Sequence, residues 1–459
     1  MARILIAWEL GSNLGHAGQF MPLAGALRAA GHSVWLALKK GASAHRVAAQ
    51  GFGYLEAPVV WGDPAEQAAR MGLPVEPVQS YADLLRGAGW CDPQALARAL
   101  SAWRNLFQLT QPDVLLCHAA PTAQLAARGE PMQVARLGTG FECPPASVPF
   151  APMRYWEPLD GPAMARREQH LFTRVQEALR IVDASSARAE DTSAESLADL
   201  LGPATDLLCT LPELDHYPRR QALQMSSLKP RSGETRATKS TGDGKAGLAS
   251  GAGGNAETRR AHPGLAPHYY GPLLTQQQGV DPVWPGHGGA NILAYLRPPF
   301  AAALDLLRTL RQGPWNTLLV MPGWPEAEAM ALASPHLNVA TSPVRMDRAL
   351  QQCAAVITYG GHGTVAGSLL AGKPVLNLPK NTEQLLVSRN AARTGAGAIL
   401  SAEIQGQDMS AAIARLIDTP DFAAAAKAFA ASHTGLDTAH ACTSLVAAVE
   451  DLKSGGSPS

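Results

Sequence analysis

A chain of 459 residues, 46% hydrophobic and 17% charged, is longer than one hydrophobic core usually serves and apolar enough to bury two or three. Its 38 basic and 38 acidic side chains cancel, which removes the electrostatic reason to expect nucleic acid or an anionic membrane as a partner. The cysteines, Cys91, Cys117, Cys143, Cys209, Cys353 and Cys442, form no Cys-x-x-Cys pair and no Cys/His cluster, so neither a disulfide scaffold nor a zinc site is expected.

The first forty residues read as a βαβ unit. "RILIAW" is a strand, "GSNLGHAG" a loop, "QFMPLAGALRAAG" a helix stopped by Gly31, and "HSVWLAL" a second strand. The apolar run 4–8 is too short for a signal-peptide core. No segment approaches the roughly 20 apolar residues that span a bilayer, and a soluble cytoplasmic protein is expected. The alternation continues through "PDVLLC", "TAQLAA" and "MQVARL". Strands without polar alternation, separated by helices, predict a parallel sheet covered on both faces.

Residues 226–266 break the pattern with Gly, Ser, Thr, Lys and Arg and almost no large apolar side chains, and they read as a disordered insert. It separates an N-terminal α/β lobe, 1–225, from a C-terminal one, 267–435, followed by a helix and tail, 436–459. The second lobe contains "NILAYL", a helix over 300–312 closed by Gly313, then "NTLLVM", "AAVITY" and "PVLNLP". The closing helix, 438–452, can pack on either lobe. Ligands of such folds lie beyond the C-terminal strand ends, hence in the cleft between lobes.

The run 355–384, "AVITYGGHGTVAGSLLAGKPVLNLPKNTEQ", concentrates candidate residues. Tyr359, Gly360, Gly361, His362, Gly363 and Thr364 fill a turn from a strand into a helix over 364–371. Amides at a helix start favour an anion such as phosphate, although a glycine turn here also has a purely structural use. Glu383 and Gln384 open the next helix. They suit adjacent hydroxyls of a polyol ring, or form a capping pair with Thr382 as the cap.

The order Gly-Gly-x-Gly-Thr, small-residue helix, Gly-x-Pro-Val, acidic-Gln, Asn-Ala, Gly-x-Gly resembles the donor-binding region of GT-B glycosyltransferases. It is closest to the UDP-glycosyltransferase group with its macrolide-type bacterial members, and more distant from MurG-like enzymes. "GHAGQFMPLAGALRAAGHSV" resembles the same family's opening. The resemblance implies two Rossmann-like parallel-sheet domains facing across a cleft. It also implies inverting transfer of a hexose from a nucleoside-diphosphate sugar, UDP-sugar foremost, to a hydroxyl of a small-molecule or lipid-like acceptor, with no metal or other cofactor. His16 takes the position of the base, Gly361, Gly363 and Thr364 the diphosphate positions, and Glu383 with Gln384 the sugar positions. Tyr359 stands where the family usually has His, Thr341 where a base-stacking aromatic is expected, and Cys117-His118 near the usual acidic partner of the base.

By its own chemistry His16, in a loop after the first strand, can accept a proton near neutral pH or simply cap the next helix. Glu9 can orient His16, meet the acceptor, or be a solvated loop carboxylate. His362 can touch the ligand or point to solvent. Arg297 suits a phosphate or a surface ion pair. Glu142 in "FECPPASVPF" and Trp156 in "MRYWEP" suit an acceptor pocket or loop packing. No Asp-x-Asp metal motif occurs. Two other readings stay open: a non-catalytic sugar-nucleotide binder, and an enzyme like the UDP-N-acetylglucosamine epimerases, which needs further acid/base carboxylates across the cleft.

Overall fold

The computed structural model describes residues 1–11, 14–39, 47–60, 78–186, 194–202, 204–217, 269–275, 279–286, 288–296, 304–400 and 408–455, without the side chains of 14–17 and 185–186. The insert read at 226–266 and the candidate Arg297 lie outside these residues. Among them, no helix is long and apolar enough to cross a membrane.

Two six-stranded parallel sheets form the two lobes. The first contains β1 (Arg3–Trp8), β2 (Ser33–Leu38), β3 (Gly53–Glu56), β4 (Val114–His118), β5 (Gln133–Gly138) and β6 (Thr205–Leu208), in the order β3-β2-β1-β4-β5-β6. The second contains β7 (Asn291–Tyr295), β8 (Asn316–Val320), β9 (Leu337–Ala340), β10 (Ala355–Thr358), β11 (Val375–Asn377) and β12 (Gly397–Ile399), in the order β12-β11-β10-β7-β8-β9. In β1, Ile4, Ile6 and Trp8 enter one core while Leu5 and Ala7 enter the other. Burial on both faces explains why these strands read as unbroken apolar runs, each full-size aliphatic contributing about 1.5–3 kcal/mol.

Five helices position the site: α1 (Leu14–Ala29), α2 (Pro121–Ala126), α3 (His362–Leu370), α4 (Thr382–Arg393) and α5 (Thr438–Lys453). α1 starts earlier than its spacing suggests, so His16 lies in the first turn of a helix rather than in a loop. Ala441, Cys442, Leu445, Val449 and Leu452 of α5 share the core of Phe20, Leu23 and Leu27 of α1, so the chain ends by crossing back onto the N-terminal lobe. Lys453 Nζ donates to the Met1 carbonyl (2.6 Å), and Glu450 lies 3.4 Å from His32 Nε2.

The lobes are tied together at two further places. After β6, Leu211 and Leu214 leave the first lobe and enter the core formed by Leu293, Val320 and Val356 of the second. Along α4, Leu386 enters the core of the N-terminal lobe, and Asn390 Nδ2 donates to the Asp215 carbonyl (2.6 Å). Arg389 stacks on Trp156, and Arg393 Nη1 donates to the Tyr155 hydroxyl (3.2 Å). Positions 386, 389, 390 and 393 form one helical stripe.

Candidate functional site

The glycine turn joins β10 to α3, at the C-terminal end of the second sheet. Gly360 has φ +85°, and a Cβ there would fall 2.4 Å from Ser388 Oγ and 2.9 Å from the Gln384 carbonyl oxygen. Glycine is required at that position for close approach to α4. Gly361, the residue before α3, has ordinary φ, and a Cβ on it would meet nothing within 4 Å. No side chain caps this helix, so the amides of its first turn keep their donor capacity toward the open space beside Gly361. Gly363 and half-buried Thr364 complete the turn.

Tyr359 lies on the face of the sheet away from α3. It shares a core with Ala355 and Ile357, whereas Val365, Ala366 and Leu369 of α3 pack with Val356 on the other face of the sheet. Its phenol oxygen is buried without a hydrogen-bond partner, and Lys380 Nζ sits 3.6 Å from the ring centroid. Strand alternation places this side chain away from the helix start.

His362 neither points to solvent nor stands alone. It is buried, its Nε2 lies 2.6 Å from Thr210 Oγ1 of the N-terminal lobe, and its ring centroid is 6.2 Å from that of His216. Burial, followed by the neighbouring His216, pushes its pKa down to about 3, so the imidazole is neutral.

At the head of α4 the cap is Asn381, not Thr382: Asn381 Oδ1 accepts from the Gln384 amide N–H (2.9 Å). Gln384 Oε1 in turn accepts from the Lys380 amide N–H (2.9 Å). This reciprocal cap occupies the Gln384 carbonyl and leaves its NH₂ group for a ligand. Burial, then the charge of Glu142 on the other lobe, pushes the Glu383 pKa up to about 8. Glu142 is itself buried. Its Oε2 accepts from the Thr139 amide (3.1 Å) and hydroxyl (3.3 Å), while Oε1 is buried with no hydrogen-bond partner. Sequence reasoning had assigned these two glutamates to separate ligands, and no local signal joins them.

Around the expected base, the structure corrects the reading of Glu9 as a solvated carboxylate. Glu9 is 1% exposed and accepts the amide N–H groups of Thr122 (3.1 Å) and Ala123 (2.6 Å) at the start of α2. Burial pushes its pKa up to about 8 despite those bonds. The Ala119 carbonyl accepts from the Leu10 amide (2.9 Å), and Ala119 holds φ +48°, a strained conformation for a non-glycine residue. His118 is buried, donates Nδ1–H to the Leu137 carbonyl (3.0 Å), and meets Phe20 edge-on at 5.5 Å. Burial lowers its pKa to about 4, so a neutral imidazole occupies this position. The backbone of His16 lies one helical turn before Phe20, while its side chain is outside the described residues. Trp156 faces Arg389 across the lobes rather than an empty pocket. Thr341 follows β9, half-buried, with its carbonyl accepting from the Gly323 amide (3.0 Å). Among the described residues, no three His, Cys, Asp or Glu side chains converge as metal ligands would.

Known proteins resemble this chain in its fold and, over part of its length, in sequence. Spinosyn rhamnosyltransferase SpnG aligns over 99% of this chain and 100% of its own, with a TM-score of 0.57 at 18% identity. The glycotransferase of kitacinnamycin aligns over 98% and 99%, with a TM-score of 0.61 at 17% identity. SnogD, a glycosyltransferase from Streptomyces nogalater, aligns over 97% and 99%, with a TM-score of 0.53 at 18% identity. Other SpnG structures are complexed with thymidine diphosphate or with spinosyn aglycone. No curated protein matches by sequence. The chain thus has the GT-B fold of glycosyltransferases. Within it, residues 326–443 match the erythromycin biosynthesis protein CIII-like C-terminal domain.

Proposed function

We propose that this protein is an inverting glycosyltransferase acting on a nucleoside-diphosphate sugar and a hydroxyl of a small-molecule acceptor. The supporting observation is the uncapped start of α3 beside the open space at Gly361, within the lobe that carries the matched domain. The amides of residues 361–364 would hold the diphosphate and stabilise the charge that grows on it as the sugar leaves. Glu383 and the Gln384 NH₂ group would take hydroxyls of the donor sugar. His16, from the opposing lobe, would remove the acceptor proton as its oxygen attacks the anomeric carbon. The reaction as read needs no metal. SpnG complexed with thymidine diphosphate makes that nucleotide, beside UDP, the first to test.

Thermal shift against TDP, UDP and their sugars tests the donor half, since a ligand of the native state raises the melting temperature. His16→Ala tests the chemistry: transfer should fall about 10²–10⁴-fold with nucleotide binding retained. Transfer unchanged in His16→Ala removes the base assignment, and absence of any nucleotide-induced shift removes the donor site.

A further inference from the structure

His362 is a side chain of the glycine turn that reaches the other lobe. Its partner, Thr210, follows β6 at the start of the segment whose Leu211 and Leu214 enter the core of the C-terminal lobe. Both residues are buried. The Thr210 hydroxyl lies 2.6 Å from His362 Nε2 and 3.4 Å from the Leu211 carbonyl. The shorter contact is a strong hydrogen bond whichever of the two groups donates, and it fixes one tautomer of the neutral His362 imidazole. Next to it, His216 Nδ1 must donate to the Thr139 carbonyl (3.1 Å), since a carbonyl only accepts. Thr139 also donates to Glu142 through its amide and hydroxyl. Packing and hydrogen bonds therefore run from the Glu142 loop through His216 to the glycine turn.

We infer that Thr210 is a positioning residue for the glycine turn: its hydroxyl holds His362 Nε2 and thereby sets the helix start in register with the N-terminal lobe. The inference rests on the reading of this turn as the diphosphate site. Thr210 itself touches neither diphosphate nor acceptor in this assignment; it acts through His362.

Long-range ¹H–¹⁵N spectra of the full chain, with the His362 signals assigned by their loss in His362→Gln, read the tautomer directly. Wild type and Thr210→Ser should show one and the same tautomer, and Thr210→Val should lose it. In transfer assays, Thr210→Val should lower kcat about tenfold, as a small misalignment of a reaction site does, with TDP or UDP Kd within about twofold and Thr210→Ser restoring the rate. A Thr210→Val protein that keeps both tautomer and kcat overturns the inference, as does a Thr210→Ser protein that fails to restore the rate. If the spectra come out as expected but neither nucleotide binds wild type, the diphosphate reading falls while the Thr210–His362 assignment stands.

Discussion

Arg389 of α4 lays its guanidinium 3.9 Å from the ring centroid of Trp156, so a helix of the C-terminal lobe rests on an aromatic side chain of the N-terminal one. With Leu386, Asn390 and Arg393 it makes α4 the docking surface between lobes as well as the carrier of Glu383 and Gln384. Whatever shifts this helix shifts the sugar-binding candidates with it.

Leu386→Ala should therefore destabilise the protein by about 2–5 kcal/mol, because it opens a cavity in the core of the opposing lobe. The Arg389→Ala and Trp156→Ala cycle should show a coupling of about 0.5–2 kcal/mol. Denaturant unfolding of the five proteins measures both; additive effects in the cycle would show that the stacked pair contributes nothing to docking.

Gly360 and Gly361 should respond in opposite ways to alanine. Gly360→Ala puts a methyl group against Ser388 and strains φ, and should cost about 1–3 kcal/mol of stability. Gly361→Ala meets no atom and keeps an ordinary φ, so the melting temperature should change little. Its methyl group occupies the space assigned to diphosphate, and titration calorimetry should show nucleotide affinity falling at least about tenfold, the equivalent of 1.4 kcal/mol.

Tyr359→Phe should leave stability unchanged or raise it by about 1 kcal/mol, since the oxygen it removes is buried without a partner. Nucleotide affinity should hold within about twofold. A large loss of affinity would show the phenol reaching the ligand, contrary to its position on the far face of the sheet.

Stability should decline as pH rises from about 6.5 to 8; at lower pH His118 and His362, held neutral in the folded protein, give a trend of opposite sign that offsets the carboxyl groups. Glu383 and Glu9 have folded pKa values raised to about 8 from 4.5, so between those values each holds its proton more fully in the folded protein than in the unfolded chain. Their contribution is fully present below the unfolded pKa and is lost as pH passes through the folded one. Glu383→Gln should flatten the decline in a series of melting temperatures, while an equal slope in wild type and variant would place the titration elsewhere.

The paired lobes, their parallel strands and the glycine turn were legible from the sequence because local properties dictate them. Apolar runs of strand length mark β1, β4, β7 and β10, and three closely spaced glycines mark the passage into α3. At Gly360 the glycine is needed for its contact with a helix more than twenty residues later in the chain, a relation that spacing alone does not disclose.

Tertiary structure decided what each polar group does. Thr382 had the composition of a cap, yet Asn381 took that role through its own geometry, and Gln384 completed it. His362 became a bridge to Thr210, the charge of Glu142 came to act on Glu383, and α5 chose the N-terminal lobe, each through a partner far away in the chain. Periodicity and turn chemistry report on neighbours a few residues apart, and so they determine elements. Pairings between lobes arise only when two independently folded surfaces meet, and desolvation then decides which of their charges and protons remain.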